Sequence, residues 1–230
     1  MKGGIQEKSI YSTRMNKSTP YKYICIEGNI GSGKTSLCEL LAKKYPVQLI
    51  LEEFDDNPFL PFFYQNPERF AFTVELFFMA ERHKQLSQIT MQKDLFYDFT
   101  LSDYCFWKTL IFARKNLDEK EYRLFQRLFN ILNTASPNPD LLIYLHRTPE
   151  KLLEQITRRD RHYEGNINAS YLKNIQDSYF EFFYSQPSYP IVIVDVEDID
   201  FVYNPGHLEE IEYIIFKEYR PGLHRISLRL

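Results

Sequence analysis

The chain is poor in the features that build disulfide scaffolds, membrane spans or strongly charged surfaces. Its three cysteines, Cys25, Cys38 and Cys105, lie in apolar surroundings and show neither metal-ligand nor disulfide spacing. We therefore expect them to be buried and reduced, as in a cytoplasmic protein. No apolar run approaches the length of a membrane span. The net charge of −3 gives no general attraction to nucleic acid or to an anionic membrane.

The first twenty residues lack the apolar centre of a secretory signal. They contain four basic residues and one acid, together with serine and threonine. We expect a disordered tail over residues 1–20, with a transit peptide as the alternative interpretation. Residues 21–230 are numerous enough to bury one sizeable core, so we predict one domain there.

Glycine is scarce, and three of the eight glycines fall within one short segment. That segment, Gly28-Asn29-Ile30-Gly31-Ser32-Gly33-Lys34-Thr35, follows the apolar run Tyr23–Ile26 and has the spacing G-x-x-x-x-G-K-[ST]. The spacing predicts a phosphate-binding loop, in which successive backbone N–H groups form a nest for an anion. The helix that follows adds the positive end of its dipole. Lys34 would then reach the outer phosphates, and the Thr35 hydroxyl would bind Mg²⁺.

Apolar runs alternate with amphipathic segments along the rest of the chain. The predicted strands are Tyr23–Ile26, Val47–Leu51, Leu95–Leu101, Leu141–Leu145 and Ile191–Val194. The predicted helices are Ser36–Lys44, Pro67–Gln88, Tyr104–Asn116, Glu119–Ala135, one that begins at Thr148 and runs into Arg158, Ala169–Tyr184 and His207–Lys217. This alternation predicts a three-layer α/β fold, with a five-stranded parallel sheet between two layers of helices. Ligands of such sheets bind beyond the carboxyl ends of the strands.

Acidic residues follow the second and third predicted strands. Glu52 and Glu53 leave the second strand, and because neighbouring strand residues face opposite sides, one of them can face the phosphates. A carboxylate there could accept the proton of a substrate hydroxyl; the alternative is a solvated acidic loop or a helix cap. Asp103 follows the third strand and could help to hold Mg²⁺, with Asp98 as the competing candidate. A helix N-cap is the structural alternative for Asp103.

Two groups of charged residues lie on the predicted helices. Arg158, Arg159 and Arg161 end one helix beside a glycine-containing loop, which predicts a lid that closes over a triphosphate. Compensation of the helix dipole is the alternative. Glu75 and Arg82 lie seven residues apart on one face of the long helix. They could read the edge of a base, but composition alone favours an exposed, ion-paired face.

Four segments, taken in order, resemble those of one known family. Glu27–Thr35 is similar to the family's phosphate loop nearly residue for residue. Glu52–Pro58 resembles its E-P-V-x-x-N-P segment, and Pro67–Phe70 resembles P-E-R-W. Arg159-x-Arg161-x-x-Glu164 resembles the R-x-R-x-x-E pattern of its lid. Over about Tyr21–Ile215 the chain thus resembles the deoxynucleoside kinase family, which implies a phosphate-loop kinase fold with an arginine-bearing lid.

The resemblance also implies an activity and a set of site residues. It implies an ATP- and Mg²⁺-dependent kinase that phosphorylates the 5′-hydroxyl of a deoxynucleoside and acts as a homodimer. The implied catalytic residues are Glu52, Lys34, Arg159 and Arg161. ATP would bind at Gly28, Asn29, Ile30, Gly31, Ser32, Gly33, Lys34, Thr35, Ser36, Asp195 and Val196. The deoxynucleoside would contact Glu52, Tyr64, Glu75, Arg82, Asp103 and Glu164, and the metal would contact Thr35 and Asp103.

Two departures from the family pattern bear on activity. Tyr104 stands in place of the arginine of the family's D/E-R-S motif, here Ser102-Asp103-Tyr104-Cys105. Lys108 or the lid could supply the missing charge; otherwise turnover is weakened. Glu75 stands where the family has a glutamine, and because an ionised glutamate only accepts hydrogen bonds, the base preference stays open. A divergent branch of the family, fused to a pterin pyrophosphokinase, shares the D-Y substitution.

Two other functions fit parts of the pattern. A kinase of a nucleoside monophosphate would need further cationic groups for the acceptor phosphate, and the sequence shows no clear set. A nucleotide-binding regulatory protein descended from a kinase is supported by the missing arginine alone. The phosphate loop, the candidate base and the lid together favour the deoxynucleoside kinase.

Overall fold

The computed structural model describes residues 19–53, 57–91, 96–134, 136–161, 164–185 and 188–228. Residues 1–18 of the predicted tail lie outside these ranges, as do Leu95 and Ala135, which are predicted ends of a strand and of a helix. The disordered tail and the single domain over residues 21–230 stay predictions.

One parallel sheet runs through the described residues. Its strands are β1 (Tyr23–Gly28), β2 (Val47–Ile50), β3 (Phe99–Ser102), β4 (Leu141–His146), β5 (Pro190–Asp195) and β6 (Gly222–Ser227). They lie in the order β2-β3-β1-β4-β5-β6, and each neighbouring pair is parallel. The predicted α/β fold with a parallel sheet is therefore confirmed.

The predicted number of strands is wrong, because the described residues form six strands and not five. The additional strand, β6, lies at the edge of the sheet and pairs with β5. Its residues alternate between half-buried and exposed positions, so it carries no continuous apolar run. An edge strand needs less apolar cover than a central one, and a search for apolar runs therefore misses it. The third strand is also displaced, because β3 begins at Phe99 and leaves Asp98 exposed outside it.

Helices lie between most of the strands. They are α1 (Lys34–Lys44), α2 (Leu60–Gln65), α3 (Pro67–Met91), α4 (Lys108–Asn116), α5 (Glu119–Asn133), α6 (Pro149–Arg159), α7 (Ala169–Ser185) and α8 (Pro205–Phe216). The short helix α2 is absent from the sequence prediction. Helix α4 begins at Lys108 and not at Tyr104, because the preceding residues form turns in which the Cys105 and Phe106 carbonyls accept hydrogen bonds from Lys108 and Thr109.

The side chains of β1 alternate between two cores on opposite faces of the sheet. Ile24 and Ile26 pack in one core with residues of α1 and α8. Tyr23 and Cys25 pack in the other core with residues of α3, α4, α5 and α7. Because neighbouring strand residues face opposite sides, this division places a layer of helices on each face. The predicted three-layer arrangement is confirmed.

The three cysteines lie in the protein interior, as the sequence predicts. Cys25, Cys38 and Cys105 are buried, and each is a free thiol. Within the described ranges, none of the helices is both long enough and apolar enough to cross a bilayer.

Helix α5 begins with a capping box that we expect to stabilise the fold measurably. Asp118 Oδ1 accepts hydrogen bonds from the backbone N–H groups of Lys120 and Glu121 at 2.8 and 2.9 Å. Glu121 Oε2 accepts one in return from the N–H of Asp118 at 3.2 Å. Replacement of Asp118 by alanine should lower the free energy of unfolding by about 1 kcal/mol, because two helical N–H groups lose their acceptor.

Urea denaturation followed by circular dichroism measures this difference. Lys120→Ala, in the same exposed turn, is the matched control and should change the free energy of unfolding by less than about 0.5 kcal/mol. Equal effects of Asp118→Ala and Lys120→Ala would contradict a stabilising role for the cap.

Candidate active site

The segment Gly28–Thr35 turns from the carboxyl end of β1 into the first turn of α1. Gly33 has a φ of +96°, in the left-handed region, and a Cβ at this position would lie 2.8 Å from the ring of Phe201. Among the described side chains, none forms a capping hydrogen bond at the start of α1. The first backbone N–H groups of α1 are therefore available to an anion.

Lys34 is the first residue of α1, and its side chain is held across the loop. Its Nζ donates a hydrogen bond to the Asn29 carbonyl oxygen at 2.9 Å. Burial, followed by the positive charge of Lys108, lowers the pKa of Lys34 to about 8. A phosphate bound in the loop would favour the charged ammonium, because an opposite charge nearby raises the pKa of a lysine.

One cavity beyond the carboxyl ends of the strands brings together most of the predicted site residues. Its charged and hydroxyl-bearing lining comprises Lys34, Thr35, Glu52, Tyr64, Glu75, Arg82, Asp103, Lys108, Arg159, Arg161, Glu164 and Tyr171. Its other lining residues are Ile30, Gly31, Leu60, Phe63, Val74, Phe78, Phe112 and Asn116. Glu52 and the phosphate loop thus face the same space, and Glu53 is exposed outside it.

The Glu52 carboxylate is held between two buried cations. Its Oε1 accepts hydrogen bonds from Arg82 Nε at 2.7 Å and lies 2.6 Å from a second guanidinium nitrogen. Its Oε2 accepts one from Lys108 Nζ at 2.5 Å. Burial would raise the pKa of Glu52, but the charges of Arg82 and Lys108 outweigh burial and hold it at about 2. Glu52 is therefore ionised throughout the neutral range.

Asp103 joins the phosphate loop to the chain that leaves β2. Its Oδ2 accepts a hydrogen bond from Thr35 Oγ1 at 2.5 Å, and its Oδ1 accepts one from the Glu52 backbone N–H at 2.8 Å. Carboxylate and hydroxyl oxygens are the ligands that Mg²⁺ prefers. The side chains of Thr35 and Asp103 therefore fit a magnesium site, whereas the competing candidate, Asp98, lies outside the cavity.

The arginines of the predicted lid point in different directions. Arg159, at the end of α6, forms two hydrogen bonds with the buried Glu164 carboxylate, one of them from Nε to Oε2 at 2.9 Å. Arg161 Nη1 lies 3.7 Å from Glu164 Oε1. Both arginines line the cavity that contains Glu52, but Arg158 packs over the Tyr203 ring and lines a second cavity. Two of the three arginines of the predicted lid therefore line the cavity that contains Lys34 and Glu52.

Glu75 and Arg82 are buried in the cavity wall, with 2% and 3% of their surfaces exposed. The interpretation that composition favours, an exposed ion-paired face, is therefore wrong. Glu75 Oε1 accepts a hydrogen bond from Asn116 Nδ2 at 2.6 Å. Burial raises the pKa of Glu75 to about 7, although the charge of Arg82 acts in the opposite direction. Asn116 and Tyr171 line the same cavity. The sequence analysis misses both residues, because no local motif marks either of them.

A second cavity lies on the other side of the phosphate loop. Gly31, Ser32, Gly33 and Ser36 line it together with Arg147, Lys151, Gln155, Arg158, Arg159 and residues 197–203. Asp195, the last residue of β5, and Val196, which follows it, are predicted to contact ATP but do not line either of the two cavities. The side-chain amide of Asn29, a residue also predicted to bind ATP, donates a hydrogen bond to the Leu172 carbonyl oxygen at 2.7 Å.

Glu27 belongs to a buried cluster that the sequence analysis does not foresee. Its carboxylate lies with the thiols of Cys25 and Cys105 in a group whose ligand atoms are within 4.8 Å of one another. Glu27 accepts hydrogen bonds from the Cys105 backbone N–H and the Tyr179 hydroxyl, both at 2.9 Å. Because these bonds occupy the carboxylate, we interpret the cluster as a structural link between β1, the residues after β3 and α7.

The chain is similar in sequence and in fold to known kinases of deoxynucleosides. The sequence profile of the family described as deoxynucleoside kinase matches residues 24–218. A deoxyguanosine kinase of Bacillus subtilis is 32% identical over 193 residues, which cover 82% of this chain and 93% of that protein. A deoxyadenosine kinase of Dictyostelium discoideum is 31% identical over 210 residues, which cover 91% of this chain and 81% of the relative.

The fold comparison agrees with the sequence comparison. A structure of deoxyadenosine kinase from M. mycoides with bound dATP superposes with a TM-score of 0.73. The superposition covers 85% of this chain and 100% of the other, at 23% sequence identity. At that identity the likeness shows the shared fold alone.

The glycine at the start of α1 provides a direct test of the phosphate loop. We expect Gly33→Ala to weaken the binding of a nucleoside triphosphate at least about tenfold, because alanine disfavours a positive φ and its Cβ would meet Phe201. Calorimetric titration with ATP measures the loss. Gly206→Ala, at the start of α8, is the matched control, and its affinity should stay unchanged. Equal affinity of Gly33→Ala and the unmodified chain would contradict an anion site in this loop.

Proposed function

The chain belongs to the deoxynucleoside kinase family, and from this premise we propose that it transfers the γ-phosphoryl group of ATP to the 5′-hydroxyl of a deoxynucleoside. The observation that carries the proposal is the shared cavity of Glu52, Lys34 and Thr35. Phosphoryl transfer needs an aligned acceptor hydroxyl, an acceptor for its proton and positive charge around the phosphates. The cavity holds a residue for each requirement.

Glu52 is the proposed acceptor for the hydroxyl proton. The 5′-oxygen attacks the γ-phosphorus, the bond between that phosphorus and the bridging oxygen of ADP breaks, and the hydroxyl proton passes to Glu52. A carboxylate with a pKa of about 2 is a weak base, so orientation of the hydroxyl is its larger contribution. In a loose transition state the phosphoryl group carries most of the charge, and a strong base is not required.

Positive charge is supplied from three sides of the transferring group. The backbone N–H groups of the phosphate loop and Lys34 hold the phosphates of ATP. Arg159 and Arg161 approach from the lid once a phosphate competes with Glu164 for their guanidinium groups. Mg²⁺ held by Thr35 and Asp103 would neutralise part of the triphosphate charge when it is bound.

The deoxynucleoside occupies the rest of the cavity in this proposal. Tyr64 and Glu164 hold the sugar, and Glu75 and Arg82 lie toward the base. The aromatic residues Phe78, Phe112 and Tyr171 line the same cavity. The adenosine part of ATP lies in the second cavity, next to residues 197–203. The homodimer and the cytoplasmic location stay predictions from the family resemblance.

In this proposal, Lys108 supplies the positive charge of the arginine that is missing after Asp103. Its ammonium contacts Glu52 directly, and it lies at the start of α4, shortly after Tyr104, the residue that replaces the arginine. A cation at this point orients the carboxylate and balances its charge in the free enzyme. The missing arginine therefore lends little support to a regulatory protein that has lost its activity, and deoxynucleoside phosphorylation remains the favoured function.

Glu52→Gln should lower kcat by about a hundredfold or more, because a neutral amide loses the ionic contacts with Arg82 and Lys108 that orient this side chain toward the hydroxyl, and it cannot accept the hydroxyl proton. Affinity for the nucleoside should change much less, since the sugar and base contacts remain. Release of ADP in the presence of each of the four deoxynucleosides measures turnover, and calorimetry measures binding. Glu53→Gln, the exposed neighbour, is the control and should retain activity. Unchanged turnover in Glu52→Gln would move the proton acceptor elsewhere.

Lys108→Met should lower kcat by about tenfold to a hundredfold, with a smaller effect on KM for ATP, because Glu52 loses one of the two cations that orient it. Lys108→Arg should recover part of the activity. Lys115→Met, exposed on the same helix, is the matched control. Steady-state kinetics with a saturating deoxynucleoside separates the two constants, and a Lys108→Met enzyme with normal kcat would show that this ammonium is dispensable.

A further inference from the structure

Glu75 leaves one carboxylate oxygen without a hydrogen-bonding partner in the cavity wall. The side chain comes from α3 and is almost completely buried, with 2% of the residue exposed. Asn116 Nδ2 donates to Oε1 at 2.6 Å. No donor among the described residues reaches Oε2. A buried polar atom without a partner is destabilising, so a ligand that donates a hydrogen bond to Oε2 would gain binding free energy from that contact.

The charges around Glu75 are already engaged with one another. Arg82, on the same helix, and Lys108, on α4, both contact Glu52, which follows β2. Tyr171 approaches from α7 and carries no charge, since burial raises the pKa of its hydroxyl above the usual value. Glu75 is thus influenced by Arg82, Lys108 and Glu52 at a distance but forms its direct hydrogen bond with the neutral Asn116.

An ionised carboxylate has four acceptor positions and no donor. The Watson–Crick edge of guanine presents two adjacent donors, N1–H and the N2 amino group, which match the two oxygens of one carboxylate. Adenine and cytosine each present one amino donor beside a ring nitrogen that accepts. An oxygen of the carboxylate would then face a second acceptor, and no hydrogen bond would form there.

We propose that the ionised carboxylate of Glu75 selects guanine over adenine and cytosine, with Oε2 and the remaining lone pair of Oε1 accepting from N1–H and N2–H. The inference rests on the proposed function, because it places the base of the nucleoside in this cavity. It assigns a specificity to Glu75, which stands on α3 where the family resemblance leads us to expect a glutamine. Asn116 orients the carboxylate and leaves the second oxygen to the base.

Replacement of Glu75 by glutamine tests the assignment with a minimal change of shape. The amide offers one donor and one acceptor, which matches adenine and cytosine and mismatches one of the two guanine donors. At pH 8 the unmodified enzyme should prefer deoxyguanosine to deoxyadenosine in kcat/KM. In Glu75→Gln that ratio should fall by about tenfold or more, because a site built for a hydrogen bond discriminates strongly against its absence.

A further substrate, deoxyinosine, and a matched control variant make the test of Glu75 more specific. Deoxyinosine keeps N1–H but lacks the amino group, so it should lie between deoxyguanosine and deoxyadenosine for the unmodified enzyme. Glu81→Gln removes a carboxylate from the same helix outside the cavity and should leave the ratio unchanged. An equal effect of Glu75→Gln and Glu81→Gln would overturn the proposal.

The unmodified chain supplies a second, independent measurement. Burial raises the pKa of Glu75 to about 7, so the ionised fraction in the free enzyme grows as the pH rises from 6 to 8. The deoxyguanosine-to-deoxyadenosine ratio should therefore rise over this range, and the ratio for Glu75→Gln should stay flat. A protonated Glu75 has a donor and an acceptor, like glutamine, which accounts for the direction.

Equilibrium binding of the nucleosides without ATP separates this inference from the proposed function. Tighter binding of deoxyguanosine that depends on Glu75, without phosphorylation of any deoxynucleoside, would support the inference and overturn the kinase proposal. Phosphorylation with a preference for deoxyadenosine or deoxycytidine at pH 8 would overturn the inference and leave the kinase proposal standing. A preference for deoxyguanosine that survives in Glu75→Gln would also overturn the role assigned to this carboxylate.

Discussion

The buried ionic cluster of Glu52, Arg82 and Lys108 is the interaction on which the site depends. It joins the chain after β2 to helices α3 and α4, and each charge in it is satisfied by a neighbour. Removal of either cation would leave a buried carboxylate with incomplete compensation, which is costly in a protein interior. The cluster therefore fixes Glu52 in position before any substrate arrives, at the cost of making it a weak base.

The parallel sheet explains why this cluster and the phosphate loop face one cavity. Strand β1 lies between β3 and β4, and β2 lies beyond β3, so the carboxyl ends of β1, β2 and β3 meet at one edge. The loop leaves β1, Glu52 leaves β2 and Asp103 leaves β3. The hydrogen bonds of Asp103 to Thr35 and to the Glu52 backbone then connect all three strand ends. The proposed selection of the base takes place in a different part of the cavity wall, where α3, α4 and α7 contribute side chains.

Local patterns in the sequence predict the parts of the site that one segment supplies. The phosphate loop is indicated by glycine spacing within eight residues. Glu52 and Asp103 lie close to the carboxyl ends of predicted strands, so their places in the sequence alone indicate their positions in the fold. Asn116 contacts Glu75 across 41 positions of sequence, and only the packing of α4 against α3 brings them together. The burial of Glu75 and Arg82 is not predicted either, because it also depends on how the helices pack. Without that information, a charged pair at helical spacing is expected to be exposed. Strand β6 is missed because an edge position does not require an apolar run.

In the proposed mechanism, the nucleoside hydroxyl at Glu52 and the γ-phosphate in the loop meet in one cavity. A bisubstrate ligand, with a deoxynucleoside joined through its 5′-oxygen to the terminal phosphate of ATP, tests this most directly. Calorimetric competition should show one molecule bound per chain, with displacement of both ATP and the free deoxynucleoside. A ligand that displaces only one of the two, or that leaves the second site able to bind its own substrate, would contradict the shared cavity.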